Sequence, residues 1–416
     1  MTAGRRRVHD KLAALPGVSS VRRPVLAGGP DEFDLFYVRV GEKSDHPLVF
    51  IPGGPGAASI ALYRGLRKRA AADGLDVIMV EHRGVGMSRH DDAGADLPLE
   101  AMTIDAAVED IAAVLDDAEV DQAVVYGTSY GTYLAAGLGL RHPGRIHAMI
   151  LDSPLLSADD IDEVRDAVRR VLWDGDDEET AELAVKVHQL VADGVLTPAA
   201  TQLAADMYGL GGPELLGRQL DLLLNDHDWV WGAIGLGTRL LVERKTPYHN
   251  EPDLVGRIGY RELNYGAVPD GKPLDPAVAM RETATGDVDF VAEPYDLISA
   301  MPTFTWPTVV ISGGRDLTTP RAVALRVAQL IPDAVLVDMP TTGHSVIDTK
   351  ERSALDIVKA VYAGETAELP GRSTELDARP SLLSVRLLRR AIIAAAAAES
   401  AVPSVVPRAV RHVTPS

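Results

Sequence analysis

The chain of 416 residues has no cysteine. That excludes disulfide frameworks, thiolate metal sites and cysteine nucleophiles together. Positive charge is scarce: 41 Lys and Arg stand against 60 Asp and Glu, a formal net charge of -19. A field of that sign repels phosphate backbones, so nucleic acid is not an expected partner. Long hydrophobic runs are missing as well. The nearest, Ala391 to Ala398, falls far short of the roughly 18 apolar residues of a membrane-spanning helix, so no membrane partner is expected, and that stretch reads as a helix segment. Met1 to Gly17 carries Arg5, Arg6 and Arg7 and then a broken apolar stretch with Asp10 and Lys11. It has no apolar core of a secretory signal, and the expected location is cytoplasmic.

Nucleotide and metal motifs are absent in the same way. No Gly-x-x-x-x-Gly-Lys-Ser/Thr and no His-Glu-x-x-His occurs, and no Gly-x-Gly-x-x-Gly follows an early strand. His82, His142, His147 and His227 are scattered without metal-ligand spacing. No cofactor and no metal are expected.

What is present is an ordinary globular composition, 46% hydrophobic and 24% charged, on a chain long enough to bury a sizeable core. Short aliphatic runs at Phe36–Val40, Leu48–Ile51, Val77–Val80, Ala123–Tyr126 and Ala148–Leu151 end in Gly, Asp or Pro, and more follow at Thr308–Ser312 and Val335–Val337. Helical stretches separate most of them. This alternation predicts an α/β fold whose mostly parallel sheet is covered by helices on both faces. Between about Leu155 and Ala300 strand-like runs vanish, and Val164, Ala167, Val168 and Val171 recur at helical spacing. The expected division is residues 1–154 and 301–365 as two parts of one core, 155–300 as an inserted helical cap, and 366–416 as a linker and a helical, then flexible, tail. Within the cap, Asp174 to Asp177 and Gly211-Gly212-Pro213 read as breaks, and 248–296 as loops. In the tail, 369–380 reads as a polar linker and 382–398 as a helix.

The strongest chemical signal is Gly127-Thr128-Ser129-Tyr130-Gly131, between the run Ala123–Tyr126 and a helix-compatible stretch. A serine hydroxyl thrust up from so tight a strand-to-helix turn needs glycine on both sides. The helix start behind it favours developing negative charge. A lone serine is a poor nucleophile and requires a base, which in turn requires an orienting acid. Asp316, in Gly313-Gly314-Arg315-Asp316, lies at the carboxyl end of a late strand, and His344, in Gly343-His344-Ser345, lies in a loop beyond the next. The order Ser129, Asp316, His344 is that of α/β-hydrolases. Asp152, one strand earlier, is the alternative acid. After the run ending at Ile51, Pro52-Gly53-Gly54-Pro55-Gly56 offers backbone amides without side chains in the way. Gly54 and Tyr130 are the expected oxyanion donors.

These segments resemble the α/β-hydrolase serine peptidases of the prolyl iminopeptidase and tripeptidyl aminopeptidase kind. The resemblance is carried by Pro52 to Gly56, by Glu81-His82-Arg83-Gly84-Val85-Gly86-Met87-Ser88, by Gly127 to Leu134 and by the Gly-x-x-Asp-x-x-Thr-Pro block at Gly313 to Pro320. It covers about 36–154 and 307–360. Pro52 stands where prolyl iminopeptidases usually carry His, and Trp229-Val230-Trp231-Gly232 is not their Trp-x-x-Trp-Glu cap element.

The resemblance implies an aminopeptidase acting on short peptides through an acyl-enzyme. Such an enzyme must hold a free ammonium, which calls for cap carboxylates. Candidates are Glu243 and Glu262, with Asp226, Asp228, Glu251, Asp253 and Glu293 behind them, and Tyr260 and Tyr265 as pocket walls. A carboxylesterase for small esters is the alternative within the same chemistry. A non-catalytic binding protein of the same fold is the alternative from another class. The expected partner is a small-molecule or short-peptide substrate, and the sequence leaves the oligomeric state open.

Overall fold

Eight strands, most of them runs of buried aliphatic residues, pair into one sheet in the order β1-β2-β4-β3-β5-β6-β7-β8. In this computed structural model, which describes residues 1–403 apart from 243, 244, 285 and 288, the strands are β1 Val18–Pro24, β2 Glu32–Val40, β3 Leu48–Ile51, β4 Val77–Val80, β5 Ala123–Thr128, β6 Ile146–Asp152, β7 Thr308–Gly313 and β8 Ala334–Met339. The β1–β2 and β2–β4 pairs are antiparallel, and every later pair is parallel. The parallel strands β3, β4, β5 and β7 are buried along their whole length. Helices on both faces explain why those runs are aliphatic throughout instead of alternating.

The two faces carry separate cores. On one, Val125 and Val310 meet the helices α3 Ile104–Asp117, α4 Tyr130–Arg141 and α9 Arg321–Leu330. On the other, Val124, Tyr126 and Ile311 meet α2 Arg64–Ala72 and α10 Glu351–Tyr362. The period of two along each strand sends successive side chains to opposite cores.

A third core lies outside the sheet. Helices α5 Asp160–Arg169, α6 Glu178–Ala192 and α7 Thr201–Leu224 bury Val168, Leu183, Val187, Leu216 and Leu220 among themselves. Leu317, next to Asp316, belongs to the same cluster. Gly175, at φ 65, ends the turn Arg170–Asp174, and an Asp177–Thr180 capping box starts α6. Gly212, at φ 72 and ψ -167, kinks α7 just before Pro213, where the missing N–H of proline already weakens a helix. Helix α8 Trp229–Val242 follows.

Several stretches fold differently from their sequence expectation. The N-terminus, for which no element was expected, forms α1, Ala3–Ala13, and the edge strand β1. Within 248–296, taken as loops, lie the helices Pro252–Val255, Arg257–Leu263 and Pro276–Thr283. The supposed linker is a 3-10 turn, Thr366–Arg372, and a helix, Ser373–Ala378. Leu369 and Leu376 anchor it, fully buried under the sheet, and Asp377 takes Lys350 as its partner. Last comes α11, Leu383–Ser400. The tail beyond residue 403, expected to be flexible, lies outside the described residues. No described helix is long and apolar enough to cross a membrane.

Candidate active site

Strand β5 runs into α4 with one residue between them. Ser129 holds φ 51 and ψ -125 there, a conformation that non-glycine residues rarely adopt and that costs on the order of 1–3 kcal/mol. Its neighbours show why it persists. A Cβ on Gly127 would lie 2.4 Å from Gly131 O, and one on Gly131 would lie 2.2 Å from Ile51 O. Ser129 N donates to Asp152 O at 2.9 Å, and Thr132 N donates to Ser129 O at 2.8 Å. Thr132 Oγ1 also donates to Ser129 O, at 2.5 Å, while accepting from Leu155 N at 3.0 Å.

The Pro52–Gly56 loop packs directly on this turn. A Cβ on Gly53 would meet Ser129 Cβ at 3.1 Å. Gly54, at φ 128, occupies backbone space that a side chain would crowd against Gly56 N at 2.6 Å. Tyr130 turns its ring inward, 1% exposed. Its hydroxyl lies 3.1 Å from His82 Nε2, and His82 Nδ1 lies 2.7 Å from Arg83 O. Since a carbonyl only accepts, the proton sits on Nδ1 and the tyrosine donates to Nε2. Glu81 is fully buried and accepts the amides of Ile60 (2.9 Å) and Met87 (3.1 Å). Burial pushes its carboxyl up to about 7 against those bonds.

At the far end of the site, Asp316 Oδ2 lies 2.8 Å from His344 Nδ1. The acid is fixed by the amides of Thr318 and Thr319, both 2.9 Å from Oδ1, and by the Thr319 hydroxyl, 2.8 Å from Oδ2. Burial works against its charge, but His344 and these donors outweigh burial and hold the carboxyl below its usual range. Burial likewise disfavours the imidazolium, and the adjacent Asp316 reverses that, raising His344 to about 9.

A chain of polar contacts brings the His344 loop to the Ser129 turn. Thr128 Oγ1 and Ser345 Oγ, each one residue from Ser129 and His344, are 2.9 Å apart. Ser345 N donates to Ser153 Oγ at 3.0 Å, and Val346 N and Ile347 N donate to the Asp152 carboxylate at 3.0 and 2.9 Å. Asp152 also accepts from Tyr126 at 2.8 Å. It therefore caps the short helix Val346–Thr349, and the acid on His344 Nδ1 is Asp316.

The other candidates are held in contacts of their own, although Glu262 and Tyr265 lie near enough to Tyr130 to push its hydroxyl up after burial has done so. Glu262 accepts from Ile104 N at 2.9 Å at the start of α3, and Tyr260 donates to Met280 O at 3.0 Å. Glu251 is wholly buried on Arg5 and Gly86 N. Glu293 accepts from Tyr133 and from Ala158 N. Glu243 lies outside the described residues. Sequence reasoning missed Asp206, on α7. Its carboxylate is close enough to interact with both His344 and Asp316, and burial first, then Asp316, push it up against the pull of Gln202 and His344. Gln202 Nε2 donates to it at 2.9 Å. Among the described residues, no group of three or more His, Asp or Glu side chains gathers as a metal site would need.

A family model described as alpha/beta hydrolase fold matches residues 46–195, a span that includes Ser129 and ends before Asp316 and His344. The proline iminopeptidase of Heyndrickxia coagulans is 32% identical over 135 residues, 32% of this chain and 42% of that protein. The aligned part thus spans less than half the length of that relative. A probable proline iminopeptidase of Leptolyngbya boryana is 23% identical over 325 residues, 77% of this chain and 88% of the other. The crystal structure of proline iminopeptidase from Mycobacterium smegmatis superposes with a TM-score of 0.52 at 19% identity, over 84% of this chain and 99% of that one. That likeness is one of fold.

Proposed function

For a chain with the α/β-hydrolase fold and similarity to proline iminopeptidases, we propose a serine hydrolase that releases N-terminal residues from short peptides. Ser129 Oγ attacks the scissile carbonyl carbon while His344 Nε2 takes its proton, and Asp316 holds the imidazole by Nδ1. The amides of Gly54 and Tyr130 receive the oxyanion. The carbonyl reforms as the C–N bond breaks, and the proton on His344 passes to the leaving amine. Water then repeats the sequence on the acyl-enzyme and frees Ser129.

The observation that carries the peptide reading is Asp206. A carboxylate on α7, the helix seated on the His344 loop where Gly209 meets Gly343, interacts electrostatically with His344 and Asp316, on the side where an ammonium on the carbon next to the scissile carbonyl would require a counter-charge. An ester substrate has no use for it. The layer of α5 to α8 over the strand ends acts as a cap that limits substrates to short chains.

The test is a matched panel of chromogenic aminoacyl amides with free and blocked amines beside short-chain esters, hydrolysed by wild type and by Ser129→Ala. Cleavage of free-amine amides, lost on blocking the amine and absent in the variant, is expected. Cleavage of esters alone moves the protein to the carboxylesterases, and no Ser129-dependent turnover at all leaves the binding-protein reading.

A further inference from the structure

Helix α11 takes no part in the reaction just described, yet it touches parts of the molecule on which the site depends. Its start is fixed to the core: Leu382 N donates to Thr349 O at 2.8 Å, at the end of the short helix that begins two residues after His344. Midway, Ile392 is 6% exposed within the cap core and Ile393 packs against that core. α11 lies along α7 and α8. At its far end, Glu399 Oε1 and Oε2 accept the amides of Trp229 and Val230 at 2.8 and 3.1 Å. Those are the first two residues of α8, whose N–H groups have no partner within their own helix.

Glu399 is out of place by local rules. An anion in the last turn of a helix opposes the dipole of that helix, and a carboxylate 1% exposed is costly unless both oxygens are engaged. Its position is favourable only toward α8, whose positive end it meets. On the site side, α7 is seated just as closely on the His344 loop. A Cβ on Gly343 would lie 2.6 Å from Gly209 O, and Asp206 is one turn earlier on that helix.

We propose that Glu399 is a positioning residue. By capping α8 it fastens α11 as a strap, anchored at Thr349 and Trp229, that holds α7, the helix bearing Asp206, against the His344 loop. The fastening stands on the contacts alone, and its consequence for substrate rests on the aminopeptidase reading.

Hydrogen–deuterium exchange on the full chain separates the two. Glu399→Ala is expected to speed exchange of 201–211 and of the first turns of α8 about tenfold or more while β5 and β7 keep their protection. Glu399→Gln, which retains one acceptor oxygen, is expected to fall between Ala and wild type. Leu382→Pro removes the other anchor at a residue whose φ of -48 suits proline, and it is expected to loosen 201–211 likewise, so the proposal is testable even if Glu399→Ala does not fold. Unchanged exchange at 201–211, or a rise spread evenly over the sheet, overturns the strap. In kinetics, KM for a free-amine peptide amide is expected to rise about tenfold with kcat within twofold, and a blocked ester to be unaffected. Equal loss of kcat on both substrates contradicts a positioning role. If wild type cleaves no peptide, the aminopeptidase reading fails while the exchange result still decides the strap.

Discussion

Asp316 and His344 face each other at 2.8 Å, and the acid is held from behind by three further donors, two amides and a hydroxyl, all within 2.9 Å. An acid tied so firmly fixes the imidazole in one tautomer, with the proton on Nδ1 and the Nε2 lone pair free to accept. Asp316→Asn keeps the shape but presents the wrong hydrogen-bonding partner. We expect kcat to fall about 10⁴-fold with little change in thermal midpoint, checked by steady-state kinetics beside a melting curve.

The same pair sets the pH dependence. Catalysis needs neutral His344, and Asp316 raises its pKa toward about 9. Activity is therefore expected to climb with pH through an apparent value above the ordinary 6.5 of histidine, and Asp316→Asn to lower that value. For stability the sign is opposite. The contribution of the raised His344 is complete below pH 6.5 and is lost as pH rises through about 9, which urea midpoints at pH 6 and 10 would show.

The glycine beyond the Ser129 turn is a packing requirement. Gly131→Ala places a methyl 2.2 Å from the backbone oxygen of Ile51, where nothing flexible can yield. A loss of at least about 1–3 kcal/mol is expected in urea unfolding. Gly144→Ala meets nothing within 4 Å and is expected to leave the midpoint in place.

On the aminopeptidase reading, Asp206→Asn removes the ammonium's counter-charge from the cap side. Charge-assisted bonds are worth about 1.5–3 kcal/mol, so kcat/KM for a free-amine substrate is expected to fall between about 10-fold and 150-fold. A blocked amide or ester should change by less than about twofold. Equal loss on both would place Asp206 outside ammonium recognition.

Much of this was legible in the residues themselves. Buried parallel strands read as aliphatic runs, and Leu48–Ile51, Val77–Val80 and Thr308–Ser312 fold where those runs lie. The conformation of Ser129 is forced by close backbone packing, which leaves glycines in the sequence as its trace. What escaped notice has physical reasons. β1, Val-Ser-Ser-Val-Arg-Arg-Pro, is an edge strand with no fully buried residue, so it lacks the aliphatic signal. The stretch 369–380 looks like a linker because its polar residues outnumber Leu369 and Leu376, the two apolar residues that bury. Asp206 and Glu399 are single acids among 60 Asp and Glu. Only the helix crossing that seats Gly209 on Gly343 and the reach of α11 to Trp229 set them apart.

The most direct measurement is covalent labelling of the full chain with a fluorophosphonate, followed by intact mass and peptide mapping. A strained serine activated by His344 is expected to take up one phosphonyl group, located on Ser129, with labelling abolished in Ser129→Ala and slowed at least about 10³-fold in Asp316→Asn. An unlabelled wild-type protein, or an adduct on another residue, would contradict Ser129 as the nucleophile.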